Sequence, residues 1–181
     1  MDVELDLIRR RRTIRRFTDE DVSQDQLETL LELAMAAPSR LNRQPWDFVV
    51  IRDERIKADL ANQLRVHPYL EQAPVVIAVC AKPDASPTWL MDISASVENM
   101  LLGATALGLG ATWLGSPGTV SWAMMEEHLR DQLGIPLNVR IPSLIVVGHP
   151  DQELPPHSRE DRYDPLRVHI ERWQNRPLSG A

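Results

Sequence analysis

The residues best suited to bind a charged ligand are arginines clustered near the start of the chain. Six arginines fall close together: Arg9, Arg10, Arg11, Arg12, Arg15 and Arg16. The chain has 20 basic residues, so without these six only 14 would balance its 26 acidic residues. Such an acidic remainder would repel a nucleic-acid backbone, and the cluster therefore suits one compact anion better than a long polyanion. The alternative is a solvated basic face that pairs with acidic neighbours. The apolar residues Ile14 and Phe17 favour a segment fixed against a core.

Several common kinds of active site are missing from the sequence. The histidines show no His-Glu-x-x-His spacing, and Cys80 has no second cysteine with which to bind zinc. There is no Gly-x-x-x-x-Gly-Lys phosphate loop and no Gly-x-Ser-x-Gly nucleophile elbow. We expect no metal site, and we expect Cys80, at the end of an apolar strand, to be a core residue. If the protein is an enzyme, an organic cofactor would carry the reaction.

Length and composition predict one globular domain spanning residues 1–181. The chain is 43% hydrophobic and 25% charged, with a net charge of −6, which is typical of a globular protein. A single cysteine favours a reducing compartment. The first residues lack the basic-then-apolar order of a signal peptide, and no apolar run approaches the roughly 20 residues that cross a bilayer. We therefore expect a cytoplasmic protein with no membrane partner.

Hydrophobic periodicity predicts an α+β fold. Ser23 and Gln26 have capping-box spacing before a helix that Pro38 ends. Continuous apolar runs predict buried strands at 48–51, 75–79, 111–114 and 143–147. Apolar residues at helical spacing predict further helices near 3–8, 53–64, 92–109 and 121–133.

The longest predicted helix, 92–109, is apolar on most of its circumference. Ile93, Val97 and Met100 lie on one stripe, while Ala95 and Leu102 lie off it. Such a helix must be buried on more than one side, either in a subunit interface or at the centre of a monomeric core. After residue 150 the chain becomes polar and proline-rich, which predicts a tail lying along a partner surface.

Three motifs and the tail occur in a recognisable order. They are Arg11–Phe17, Ala37–Trp46, the stretch from Gly108 to Gly115, and a closing stretch from Arg162 to Trp173. This order resembles the nitroreductase family of FMN-dependent oxidoreductases, and the resemblance extends roughly from Leu7 to Trp173. The Pro-Ser-x-x-Asn-x-Gln-Pro-Trp pattern of the second motif is the most specific part.

The resemblance implies a fold and an assembly. The fold is a central mixed, mostly antiparallel sheet flanked by helices, in an intertwined homodimer. FMN would lie at the subunit interface, and a C-terminal extension from about residue 150 to residue 181 would wrap the partner subunit.

The resemblance also implies which residues contact FMN through its charged groups. Arg11 and the hydroxyl of Thr13 would bind the phosphate, with Arg12 nearby, because guanidinium groups offer bidentate hydrogen bonds to a dianion. From the tail, Arg162 and Arg159 would add further phosphate contacts. Arg15 would stabilise the negative charge of the reduced flavin at N1 and O2; the alternative for Arg15 is a surface ion pair.

Other implied contacts involve the flavin ring. Pro38, Ser39 and Asn42 would reach the flavin of the neighbouring subunit, and Gln44 would either join them or cap its own loop. Leu114 and Gly115 would lie near the ring, where a residue without a side chain lets backbone N–H groups approach. Trp46 is expected in the core. No role is assigned to Gln63, Arg65 or His67.

The implied function is hydride transfer from NADH or NADPH, through FMN, to an electron-poor small molecule such as a nitroaromatic or a quinone. No protein acid or base is required, so no catalytic side chain is named. The alternatives are another chemistry on the same fold, such as dehalogenation or substrate dehydrogenation, and a non-enzymatic flavin-binding protein. Nucleic-acid binding through the arginines is the weakest alternative, and we expect no nucleic-acid partner.

Overall fold

The computed structural model of the chain describes residues 3–63 and 69–173. Its centre is a four-stranded sheet in the order β1–β2–β4–β3, and all three pairs of neighbouring strands are antiparallel. The strands are β1 (Trp46–Ile51), β2 (Val75–Ala81), β3 (Gly110–Leu114) and β4 (Arg140–Gly148). The prediction of an α+β fold with a mostly antiparallel sheet is confirmed.

Helices cover both faces of the sheet. They are α1 (Val3–Arg10), α2 (Gln24–Met35), α3 (Glu54–Gln63), α4 (Tyr69–Gln72), α5 (Trp89–Ala106), α6 (Val120–Leu133) and α7 (Arg159–Arg162). One core lies between the sheet and α2 and α5, and the other between the sheet and α3, α4 and α6. Because side chains alternate along a strand, β2 contributes Val75 and Ile77 to the first core and Val76 and Ala78 to the second. Every residue of β2 is buried for that reason. Within the described ranges, no helix is both long and apolar enough to cross a membrane.

The start of α2 is the capping box that its sequence predicts. The Ser23 hydroxyl accepts a hydrogen bond from the Gln26 backbone at 3.2 Å, and the Gln26 side chain accepts one from the Ser23 backbone at 3.0 Å. Two backbone N–H groups that would otherwise lack partners are thereby satisfied. Leu27, Leu30 and Ala34 then bury one face of α2.

The long helix α5 begins and ends three residues earlier than its apolar stripe predicts. The helix begins at Trp89, so Asp92 lies inside its first turn. There the Asp92 carboxylate accepts hydrogen bonds from the hydroxyls of Ser86 (2.6 Å) and Thr88 (3.3 Å). At its end, the backbone N–H of Leu109 bonds to the carbonyl of Ala104 at 2.8 Å. Because this bond closes the last turn, the helix ends before Leu109.

The two faces of α5 differ in their burial. Ile93, Val97 and Met100 are fully buried against the sheet and α2, as the stripe predicts. The other face leaves Met91 73% exposed and Ala106 exposed as well. The described part of the chain therefore covers only one side of this helix.

A buried carboxylate joins α6 to β4. Glu126 is 4% exposed and accepts hydrogen bonds from Arg140 Nε at 2.6 Å and from the Ile141 backbone at 2.8 Å, with Arg130 at 3.5 Å. Burial acts to raise the pKa of Glu126, but the bonds from Arg140 and Ile141 outweigh it and hold the pKa below its ordinary value. The ionised carboxylate is thus the form that stabilises the fold.

We expect Glu126→Gln to lower the free energy of unfolding at pH 7 by about 2–3 kcal/mol, because it leaves Arg140 without its charged partner. Because the folded-state pKa is depressed, this contribution is fully present above the ordinary value of 4.5 and is lost as the pH falls through the folded-state pKa. Urea unfolding at pH 7 and at pH 3.5 measures both quantities. The exposed neighbour variant Glu127→Gln should match the wild type. An equal deficit for Glu126→Gln at both pH values would contradict this account.

Candidate active site

The arginine segment is attached to the edge of the sheet. Thr13 pairs with Ala111 of β3 in a parallel bridge, and the Ile14 N–H donates to the Ala111 carbonyl at 3.0 Å. The hydroxyl of Thr112 donates to the Ile14 carbonyl. Ile14 and Phe17 are each 8% exposed. The expectation that these apolar residues fix the segment against the core is confirmed.

The close approach of this segment requires a glycine on β3. A Cβ atom built on Gly110 would lie 2.6 Å from Cγ2 of Ile14, a distance that real Cβ atoms essentially never show. The Gly108-Leu109-Gly110 sequence therefore has a packing role. It ends α5 and lets the arginine segment lie against the strand.

Three of the arginines assigned to the phosphate line one cavity of about 360 Å³. They are Arg11, Arg159 and Arg162. The described residues that line this cavity are Ile8, Arg9, Arg11, Glu98, His157, Ser158, Arg159, Arg162 and Tyr163. These residues include four arginines and one carboxylate, that of Glu98, whose Oε1 lies 3.6 Å from Arg11 Nε. We call this space the arginine cavity.

The tail lines the arginine cavity with α7 and with the two residues before it, His157 and Ser158. The backbone N–H of His157 donates to the Arg9 carbonyl at 2.9 Å, which attaches the tail to the end of α1. Arg162 donates from Nε to Nδ1 of His157 at 3.1 Å, and its Nη2 lies 3.0 Å from both Nδ1 and Nε2 of that ring. The guanidinium of Arg159 lies over the Tyr163 ring, 4.1 Å from its centroid. Partial burial, followed by the positive charges of Arg162, Arg12 and Arg11, lowers the pKa of His157.

Arg12 and Thr13 are close to the arginine cavity but are not part of its described lining. Arg12 donates from Nη1 to the Pro155 carbonyl and lines a neighbouring cavity of about 290 Å³, together with Arg10 and Glu153. Thr13 is half-buried in its bridge with Ala111. Successive side chains of an extended segment point to opposite sides, so Arg11 and Arg12 face different spaces.

Arg15 contacts a tyrosine instead of a carboxylate. Its side chain hydrogen-bonds the hydroxyl of Tyr69, and its backbone N–H donates to Gln152 Oε1 at 3.2 Å. Burial raises the pKa of Tyr69, and the hydrogen bond and charge of Arg15 partly oppose that rise. Within residues 3–63 and 69–173 no ion pair of Arg15 is present, which counts against the surface ion-pair alternative.

Pro38, Ser39, Asn42 and Gln44 lie on a loop that is separate from the arginine cavity. Gln44 donates from its backbone to the Ser39 hydroxyl and from its side chain to Asn42 Oδ1, both at 3.0 Å. Positive φ angles occur at Leu41 (52°), Asn42 (55°) and Gln44 (46°). Such angles are costly for leucine and glutamine, and strained backbone of this kind is frequent at ligand-binding loops. Asp92 holds the loop to α5 by accepting from the Arg40 N–H at 3.2 Å.

Leu114 ends β3, and Gly115 follows it. Leu114 is buried, and Gly115 is exposed at the end of the strand. A Cβ on Gly115 would lie 2.5 Å from the Pro142 carbonyl oxygen, so contact with the backbone of β4 is enough to require this glycine. Trp46 is 6% exposed and belongs to the core, as expected.

The structure also shows where Cys80 and Gln63 lie. Cys80 is 2% exposed, and burial, followed by the charge of Asp47, raises the pKa of its thiol to about 12, as befits a core residue. Gln63 lines a groove on α3 and α6, away from the arginine cavity. Arg65 and His67 lie outside the described residues.

Three contacts that bear on this site were missed by reasoning from the sequence. Glu98 had a usable signal, because it occupies a polar position on an otherwise apolar helix. His157 was considered only as a metal ligand. Tyr69 had no signal at all, since its contact with Arg15 joins residues that share no motif.

A family model described as the nitroreductase family matches residues 8–69 and 62–149. The chain belongs to the nitroreductase family. A relative from Archaeoglobus fulgidus, provisionally named NADH dehydrogenase/NAD(P)H nitroreductase, is 37% identical over 96% of this chain and 100% of its own length. The structure of an FMN-dependent nitroreductase from Clostridium difficile superposes with a TM-score of 0.86, at 26% identity, covering 93% of this chain and 99% of the other. A provisionally named nitroreductase from Desulfovibrio desulfuricans, solved in complex with FMN, gives a TM-score of 0.75 at 36% identity, covering 84% and 88%.

We expect Gly110→Ala to destabilise the fold by about 1–3 kcal/mol in urea unfolding, because the new methyl group would overlap buried Ile14. The matched control is Gly103→Ala. Its Cβ would lie 2.6 Å from Cδ1 of Leu33, a flexible side chain that is 37% exposed and can move, and 3.3 Å from Cδ2 of buried Leu30, so we expect a smaller loss than for Gly110→Ala. Unfolding free energies of Gly110→Ala equal to those of the wild type would show that the segment does not depend on this contact.

Proposed function

We propose that two copies of this chain form an FMN-dependent oxidoreductase. It would take hydride from NADH or NADPH and reduce an electron-poor small molecule such as a nitroaromatic or a quinone. Family membership and the FMN named for the C. difficile and D. desulfuricans structures support this proposal. We include in it a single FMN-binding domain over residues 1–181 and a cytoplasmic location, for which the single, buried cysteine is the supporting observation.

The observation that carries the proposal is the charge of the arginine cavity. Arg11, Arg159 and Arg162 line it with one carboxylate, that of Glu98, and a phosphate dianion would offset the excess of positive charge. Arg11, Arg159 and Arg162 would hold the FMN phosphate, and Arg12 would add to the positive field from the adjoining space. Thr13 is close enough in sequence to contribute its hydroxyl from the same segment.

Arg15 fits a role at the other end of the cofactor. A fixed cation favours the negative charge that a flavin gains on reduction. The hydrogen bond to buried Tyr69 restricts the Arg15 side chain, so its charge is held in place. Leu114 and Gly115 would lie near the flavin ring.

The second copy would complete the site. The uncovered face of α5 and exposed apolar residues of the tail suit a subunit interface: Leu166 is 58%, Ile170 56% and Trp173 86% exposed. The strained loop would then bring Pro38, Ser39, Asn42 and Gln44 to the partner's flavin. The tail from about residue 150 would wrap the partner subunit, and its residues 174–181 lie outside the described ranges.

FMN, when bound, supplies the chemistry of accepting hydride from the reductant and passing it to the acceptor. The contribution of the chain is to hold the phosphate, to place a cation near the flavin and to leave room for substrates. No side chain is assigned as an acid or base.

Anaerobic reduction tests the activity. We expect the purified protein to be yellow, to lose its flavin absorbance when NADH or NADPH is added, and to recover it with nitroaromatics or quinones. Enones and halogenated phenols complete the acceptor panel. Reduction that only oxygen reverses would instead indicate a flavin-binding protein without this activity, and a colourless protein that takes up no added FMN would contradict the proposal.

A comparison of FMN with riboflavin tests the phosphate site. We expect Arg162→Gln to weaken FMN binding about tenfold or more, because a charge-assisted hydrogen bond is lost, and to leave riboflavin binding unchanged. The matched control is Arg167→Gln, whose exposed guanidinium pairs with Asp164 at 3.2 Å. Equal weakening of both flavins by Arg162→Gln would argue against a phosphate contact.

A further inference from the structure

His157 lies within the arginine cavity without belonging to any motif of the site. Arg162 Nε lies 3.1 Å from its Nδ1, and Arg162 Nη2 lies 3.0 Å from both Nδ1 and Nε2. An imidazole nitrogen accepts a hydrogen bond only when it is unprotonated, so donation from Arg162 favours the neutral ring, which restricts the orientation of Arg162.

Most of the charged and titratable groups around His157 are cationic. From α1 and the arginine segment they are Arg9, Arg11 and Arg12; from α5, Glu98; and from its own part of the tail, Arg159, Asp161, Arg162 and Tyr163. Partial burial and the cations hold the pKa of His157 below its ordinary value, with Asp161 opposing them. A bound dianion would reverse the local field and favour the protonated ring.

We propose that His157 is a proton-linked positioning residue of the phosphate site: neutral, it orients Arg162, and on phosphate binding it takes up one proton from solvent and frees Arg162 to donate to the phosphate. Once both ring nitrogens carry protons, neither can accept a hydrogen bond from Arg162, so the guanidinium is released toward the anion. This inference rests on the proposed FMN function, because it names FMN phosphate as the anion.

The sign of the linkage follows from the two protonation states. If binding raises the pKa of His157, FMN binds more tightly as the pH falls through the raised pKa, and the gain levels off below the pKa of the free protein. The phosphate has its own second pKa near 6, which also titrates in this range. A comparison with a variant that cannot titrate at position 157 removes that contribution.

Two variants separate orientation from protonation. In His157→Asn, the amide oxygen can replace Nδ1 as acceptor for Arg162 but cannot be protonated in this range. In His157→Phe, both properties are lost. His128→Gln serves as control, because it removes an imidazole that pairs with Asp59 on the distant α3–α6 surface.

The measurement is calorimetric titration of the apoprotein with FMN, at pH 6 and pH 8, in buffers of different ionisation enthalpy. We expect the wild type and His128→Gln to take up more protons per FMN than His157→Asn. The ratio of the dissociation constants of His157→Asn and wild type should rise by up to about tenfold from pH 8 to pH 6, one pKa unit of linkage. His157→Phe should bind FMN more weakly than His157→Asn at both pH values.

Identical proton uptake by wild type and His157→Asn would overturn the inference while leaving the FMN function intact. Equal affinity of His157→Asn and His157→Phe at pH 8 would overturn the orienting role. A wild-type protein that binds no FMN would instead overturn the proposed function, and this inference with it.

Discussion

The constraint on which the rest of the site depends is the repulsion among guanidinium groups held in one small cavity. Arg11 comes from the segment attached to β3, and Arg159 and Arg162 come from a helix of four residues in the tail. Backbone hydrogen bonds, from Ile14 to Ala111 and from His157 to Arg9, keep the two segments together against that repulsion. Stabilisation of the fold elsewhere thus maintains a concentration of positive charge, which is what an anion-binding site requires.

The edge strand β3 organises both ends of the candidate site. At one end Ala111 binds the arginine segment, and at the other the strand ends at Leu114, directly before Gly115. Gly115 follows Ala111 by four positions, which in an extended chain corresponds to roughly 13 Å. The strand is held in place by β4, whose other neighbour is the fully buried β2. The buried centre of the sheet therefore fixes the positions of the site residues that lie along its edge.

Features that depend on local sequence were predictable, and features that depend on distant contacts were not. The four strands, the capping box of α2 and the buried stripe of α5 follow from spacing within a short window. The start of α5 was placed wrongly because the apolar stripe cannot show that Ser86 and Thr88 bond to Asp92. The grouping of Arg11 with Arg159 and Arg162 came from the family resemblance, since periodicity relates no residues that far apart. The same limit hid the contacts of Tyr69 and His157.

The most direct test of the central claim is a crystal structure of the FMN-loaded protein. The account predicts a dimer in which the guanidinium groups of Arg11 and Arg162 lie within hydrogen-bond distance of the FMN phosphate, with Ser39 and Asn42 of the other subunit at the flavin. A phosphate bound away from the arginine cavity, or a flavin enclosed by one subunit alone, would contradict it.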